Sequence, residues 1–142
     1  LVMNYDKLVN ENVNRNVLFL EQFEKWLKNK KLSDRMIRNH LNNVDLYIND
    51  YLNYYEITLM EDGVTGVEMF FMDWFVRKCA WTSESSIRTT ATSIKKFYEC
   101  MMKLGFVKKK NYELLANILK KNMNKYIDNF IEYEMEFADE WF

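Results

Sequence analysis

The feature that most constrains this chain is what it lacks: proline is absent, and glycine occurs only 3 times in 142 residues. Strands reverse direction through turns that rely on the positive φ of glycine and the fixed φ of proline. A chain this poor in both is expected to fold as helices. Composition supplies a core for them, with 49% hydrophobic and 16% aromatic residues, including 10 Phe, 9 Tyr and 4 Trp. The length is that of one domain. A domain of this size buries roughly two-thirds of its unfolded surface, so it can fold without disulfide or metal staples. Charged residues, at 29%, are too ordinary in number for intrinsic disorder. No apolar run approaches the roughly 18 residues of a membrane span. Residues Leu1-Val2-Met3-Asn4-Tyr5-Asp6 lack signal-peptide architecture. The expectation is an all-α, soluble, cytoplasmic domain with no membrane contact.

Catalytic chemistry finds few candidates. Cys79 and Cys100 cannot make a disulfide framework, and each falls among apolar residues of a helical stretch, as a buried thiol would. The single histidine, His40, has no Cys, Ser or carboxylate at a motif spacing and reads as an ordinary helix residue. Gly-rich phosphate loops, paired catalytic carboxylates and metal spacings are all missing from the sequence. The chain is therefore expected to have no catalytic residues, no metal and no cofactor.

Apolar periodicity divides the chain into five helices. Residues 1–14 are Asn-rich with weak periodicity and are expected to be a loose arm. The first helix covers about 16–31, with Phe19, Leu20, Phe23, Trp26 and Leu27 on its inner stripe. Ser33 caps a second helix over about 34–54, whose stripe is Ile37, Leu41, Val44, Ile48 and Tyr51. Glu61-Asp62-Gly63 marks a turn, after which Thr65 is expected to cap a third, wide-faced helix over about 66–79. Its apolar residues are Val67, Phe70, Phe71, Trp74 and Phe75. Ser83 caps a fourth helix over about 84–104, ended by a left-handed Gly105. That helix buries Ile87, Ala91, Ile94, Phe97, Tyr98 and Met101. Asn111 is expected to cap a fifth helix over about 112–134, carrying Leu115, Ile118, Leu119, Met123, Tyr126, Ile127 and Phe130. The segment from Glu132 to Phe142 reads either as an amphipathic extension or as a sticky acidic tail.

Net charge is -1, but the charges are segregated. Residues 77–125 hold 12 basic and 3 acidic side chains, residues 15–38 hold 7 basic and 3 acidic, residues 39–76 hold 7 acidic and none basic, and residues 128–142 hold 6 acidic and none basic. On a helical wheel, the face opposite Ile37 carries Arg35, Asn39 and Asn42, with Arg38 on its flank. The face opposite Ile87 carries Ser85, Thr89, Thr92 and Lys96, flanked by Arg88 and Lys95. Arg and Lys suit phosphates or guanine edges, Asn can grip adenine, and Ser and Thr reach either. A merely solvated helix mixes both signs, whereas this fourth helix has only Glu84 and Glu99 as acids.

Residues 17–107 resemble the N-terminal SAM-like, or core-binding, domain of phage integrases (tyrosine recombinases). The resemblance rests on the opening helix Phe19 to Leu27, on Ser33, Ile37, Leu41, Val44, Tyr47, Tyr51 and Leu52, and on the connection Ile57 to Asp62. It rests most of all on Ser83-Glu84-Ser85-Ser86-Ile87, Ser93-Ile94-Lys95-Lys96-Phe97-Tyr98 and Lys103-Leu104-Gly105-Phe106. Met36 and His40 stand where the family often has Thr and Tyr. The resemblance implies a four-helix bundle laying its second and fourth helices against DNA. The contacts it implies are Arg35, Arg38, Asn39 and Asn42, and Ser85, Arg88, Thr89, Thr92, Lys95 and Lys96. An integrase would continue after Gly105 into a catalytic domain with an Arg, Lys, His-x-x-Arg and Tyr constellation; here residues 106–142 supply a long helix instead.

The expected organisation is thus an arm at 1–14, an integrase-like helical domain at 15–107 and a C-terminal helix with an acidic tail at 108–142. The expected function is non-catalytic binding of double-stranded DNA, in DNA recombination or integration. Lys108, Lys109, Lys110, Lys120, Lys121 and Lys125 could extend the DNA face. The alternative is a protein-interaction domain, including a homodimer, that uses residues 112–142. There Phe137, Trp141 and Phe142 would dock on a partner, a role ranked above folding of the tail over a basic surface.

Overall fold

The computed structural model describes residues 2–141, with side chains described for residues 4–137. Five helices account for the fold, and no strand occurs among the described residues. Helix α1 is Val2–Asn29. Helix α2 is Asp34–Asp45 and runs on without a break as the π-helical turns Leu46–Tyr51. Helix α3 is composite: Val67–Met69, a π-helical stretch Phe70–Trp74, then Phe75–Lys78. Helix α4 is Glu84–Lys103 and α5 is Lys109–Trp141. A short 3-10 turn, Met60–Asp62, lies between α2 and α3.

The caps follow from side-chain chemistry. Ser33 Oγ accepts from the Met36 amide at 3.2 Å and starts α2. Ser83 and Ser86 form a reciprocal capping box at the start of α4, with amide-to-hydroxyl distances of 3.0 and 2.7 Å. The end of α4 is a Schellman turn: Gly105 adopts φ +85°, and the Phe106 amide donates to the Met101 carbonyl at 2.8 Å. Thr65 does not cap α3, because Gly66 occupies the N-cap position and no side chain bonds there. Asn111 is likewise inside α5, which begins two residues earlier.

The expected loose arm at residues 1–14 is instead helix from Val2 onward, continuous with the rest of α1. Polar side chains hold it. Tyr5 Oη donates to the Asn53 carbonyl at 2.5 Å, and Asn12 Nδ2 donates to Asn53 Oδ1 at 2.8 Å and to the Thr58 carbonyl at 3.2 Å. Asn16 Nδ2 donates to Asn49 Oδ1 at 2.8 Å, and Arg15 grips Glu61 with both guanidinium nitrogens. Asn12 and Asn16 are both buried.

The stripes meet in one core. Phe23 stands edge-on to Phe97 at 5.3 Å and Tyr47 edge-on to Phe70 at 5.0 Å, so α1 touches α4 and α2 touches α3 through aromatic rings. All five expected apolar residues of α3 and all six of α4 are buried. The loop before α3 is clamped by two buried tyrosines: Tyr47 Oη donates to the Gly63 carbonyl and Tyr98 Oη to the Met60 carbonyl, each at 2.6 Å. Gly63 permits this approach, since a Cβ there would lie 2.7 Å from both Leu52 Cδ1 and Tyr98 Oη. Glu68 of α3 anchors α5, accepting from Asn122, Lys125 and Tyr126. These bonds hold its carboxyl below the usual carboxylate range, the Tyr126 bond foremost. From Glu132 to Trp141 the segment is a helical extension of α5; the side chain of Trp141, and Phe142, both expected to dock on a partner, lie outside the described residues.

Candidate nucleic-acid interface

Helix α4 lies between α2 and α5, so its outward side is bordered by a groove on each flank. The α2–α4 groove encloses about 620 Å³ and is lined by Asn39 and Asn42 of α2 and Thr89 of α4, three of the ten expected contact residues. Its floor is polar. Ser93, fully buried, hydrogen-bonds His40 Nδ1 at 2.8 Å and Asn43 Nδ2 at 3.0 Å, tying the two helices together. Burial, and then the positive charge of Lys96, push the His40 imidazole below its ordinary value.

The remaining contact candidates are distributed around this groove. Thr92 and Lys95 border the second groove, against Ala116, Leu119 and Lys120 of α5. Arg35, Arg38, Ser85 and Arg88 are exposed, and Lys96 is half-buried. Arg88 leans on Glu84 at 3.2 Å, an exposed i,i+4 pair. Pairs of that kind contribute about 0.2–1 kcal/mol, so the guanidinium is readily available to a phosphate. The Thr89 and Thr92 hydroxyls donate to carbonyls of their own helix, at 3.2 and 3.0 Å, and turn lone pairs outward.

The charge of the α2–α4 groove is polarised along its length. Asp45 and Asp50 line it together with Trp81, which precedes α4. Trp81 lies three residues before α4, so the acids share the groove with the approach to that helix. Burial, with repulsion from Asp45, raises the Asp50 carboxyl. Asn42 also borders an acidic groove formed with Glu21, Glu24 and Asp45. The two polar faces are therefore adjacent but not one continuous basic patch. Acids interrupt them at one end.

Sequence reasoning read His40 as a plain helix residue and did not single out Ser93, Asn43 or Trp81 as parts of a site. His40 falls on the flank of the α2 stripe, three residues after Ile37, and that flank position was the available signal. Cys79 and Cys100 are buried free thiols, each pushed up to about 11, chiefly by burial. At neutral pH they are protonated and unreactive. Among the described residues, no group of three or more His, Cys, Asp or Glu could hold a metal ion, and no helix is long and apolar enough to cross a membrane. No protein-family model, curated protein or solved structure matches this chain.

Proposed function

We propose that this chain is a non-catalytic DNA-binding module of the SAM-like, core-binding type that precedes the catalytic domain in phage integrases, and that it meets duplex DNA with α2 and α4. One observation supports the reading above the others. The two helices that bear the Arg, Lys, Asn and Thr faces are neighbours, fixed to each other through Ser93, with Arg35, Arg38, Arg88 and Lys95 exposed. Arg35, Arg38, Arg88, Lys95 and Lys96 serve phosphates, and Asn39 and Thr89 reach base edges from the groove. The acids at Asp45 and Asp50 repel phosphate, so contact concentrates away from that end, toward Arg35, Arg38 and Lys96.

An amide-shift titration of the isotopically labelled protein with a mixed-sequence duplex tests this placement. The reading expects the largest shifts within residues 35–42 and 85–96. Shifts confined to α5, or no shifts at low salt, would overturn it.

A further inference from the structure

We propose that the α2–α4 groove receives an arginine side chain carried by a segment of another protein, with Asp45 and Asp50 meeting its charge and the indole of Trp81 its plane. The proposal does not draw on DNA binding. It starts from three side chains that line one cavity and that nothing in the chain complements.

Trp81 is 62% exposed, and among the described residues its indole makes no hydrogen bond, ring contact or cation contact. Asp50 forms no hydrogen bond or ion pair among the described residues, and Asp45 accepts only from Asn49. No Lys or Arg lines this groove. Burial and repulsion from Asp45 raise the Asp50 carboxyl, with no cation of the chain to oppose them. The acids at other contacts are matched: Glu61 with Arg15, Glu68 with Lys125 and Asp73 with Arg77. The uncompensated negative charge belongs to this groove, beside an indole with a free face.

The other polar groups of the groove add acceptors. The Thr89 hydroxyl gives its hydrogen to the Ser86 carbonyl and keeps its lone pairs. Asn43 donates from Nδ2 to Ser93, which leaves its Oδ1 to accept. Acceptors beside an aromatic ring suit a planar cation that only donates. Guanidinium has five N–H donors and no acceptor, and it stacks on aromatic faces; an ammonium is a compact point charge with three donors. The methylene stem of an arginine finds Leu46 and Met36 in the same lining. At about 620 Å³ the groove is larger than one side chain requires. Asn39 and Asn42 line the rest of it, and side-chain amides pair with peptide N–H and C=O groups. The occupant is therefore an arginine within a peptide segment, not a free small cation.

An amide-shift titration of the isotopically labelled full chain with a capped Gly-Arg-Gly tripeptide tests the proposal. The expected result is saturable shifts centred on residues 45–50 and on Trp81, with a dissociation constant in the millimolar range for so small a probe. The tripeptide with citrulline in place of arginine keeps the shape, loses the charge and should not saturate. A Gly-Lys-Gly peptide and spermidine should each bind more weakly than the arginine peptide. An Asp45→Asn, Asp50→Asn variant should bind the arginine peptide at least about tenfold more weakly, and Trp81→Ala should weaken it as well. All three positions are exposed, so the variants keep the fold, and unchanged shifts in the core check it. Absence of saturation, shifts centred elsewhere, an equal response to the citrulline peptide, or undiminished binding by either variant would each overturn the proposal. So would binding of lysine peptide or spermidine as tight as that of the arginine peptide, which would assign the groove to cations in general.

Discussion

His40 Nδ1 lies 2.8 Å from Ser93 Oγ, and at this contact α2 is held against α4. Ser93 donates its single hydrogen to the Thr89 carbonyl at 3.0 Å and accepts from Asn43 Nδ2 at 3.0 Å. The serine can then only accept from His40. This arrangement matches the imidazole tautomer that carries its proton on Nδ1.

Ser93→Ala removes the acceptor for both partners across the helix pair. Ser93 is fully buried, and the half-buried His40 and Asn43 side chains on the groove wall each lose their partner on it. The expected loss of stability is about 1–3 kcal/mol, read from urea denaturation midpoints. A loss below about 0.5 kcal/mol would mean the contact does not hold the helices.

The same histidine makes stability depend on pH. Its folded value lies below the ordinary 6.5, through burial first and Lys96 second. Below about 6.5 the unfolded chain binds a proton that the folded chain resists, so stability falls as pH drops through this window and is unaffected above it. His40 is the one histidine in the chain, so His40→Gln should flatten the denaturation midpoint between about pH 7.5 and about pH 5.5. The depressed carboxyls of Glu61, Glu68 and Asp73 make their losses at lower pH. An unchanged slope in the variant would assign the effect elsewhere.

Hydrogen exchange should divide α1 in two. Its later half buries Phe19, Phe23 and Leu27, but Tyr5 and Leu8 are exposed, and the first half is held by side-chain amides and one bidentate ion pair. Amides before Asn12 are expected to exchange at least about tenfold faster than those of residues 19–27, because opening there exposes little apolar surface. Uniform protection along α1 would contradict this.

The first half of α1 also shows where sequence reasoning stops. Asparagines are poor helix formers, and without an apolar stripe they read as an arm. The structure makes them helical through partners about forty residues away, such as Asn53 and Thr58, which no local spacing announces. Where burial decided the outcome, periodicity sufficed: Ile87, Ala91, Ile94, Tyr98 and Met101 were placed inside by their spacing alone, and they are inside. The site divides the same way. Exposure of Arg35, Arg38, Asn39 and Arg88 follows from the wheel, whereas the entry of Asp45 and Asp50 into the groove, beside Trp81, does not. That intrusion of acids depends on how two helices pack, which a single helix's pattern does not contain.

The most direct test of DNA binding is fluorescence anisotropy with a mixed-sequence duplex at about 50 and about 200 mM salt. If Arg35, Arg38, Arg88, Lys95 and Lys96 all meet phosphates, affinity falls with a log–log slope of about -4 to -5, a loss of roughly several hundredfold over this range. An Arg88→Glu, Lys96→Glu variant, changed only on α4, should bind at least about tenfold more weakly at the lower salt and with a shallower slope. Absence of binding by wild type at low salt, or equal binding by the variant, would contradict the account.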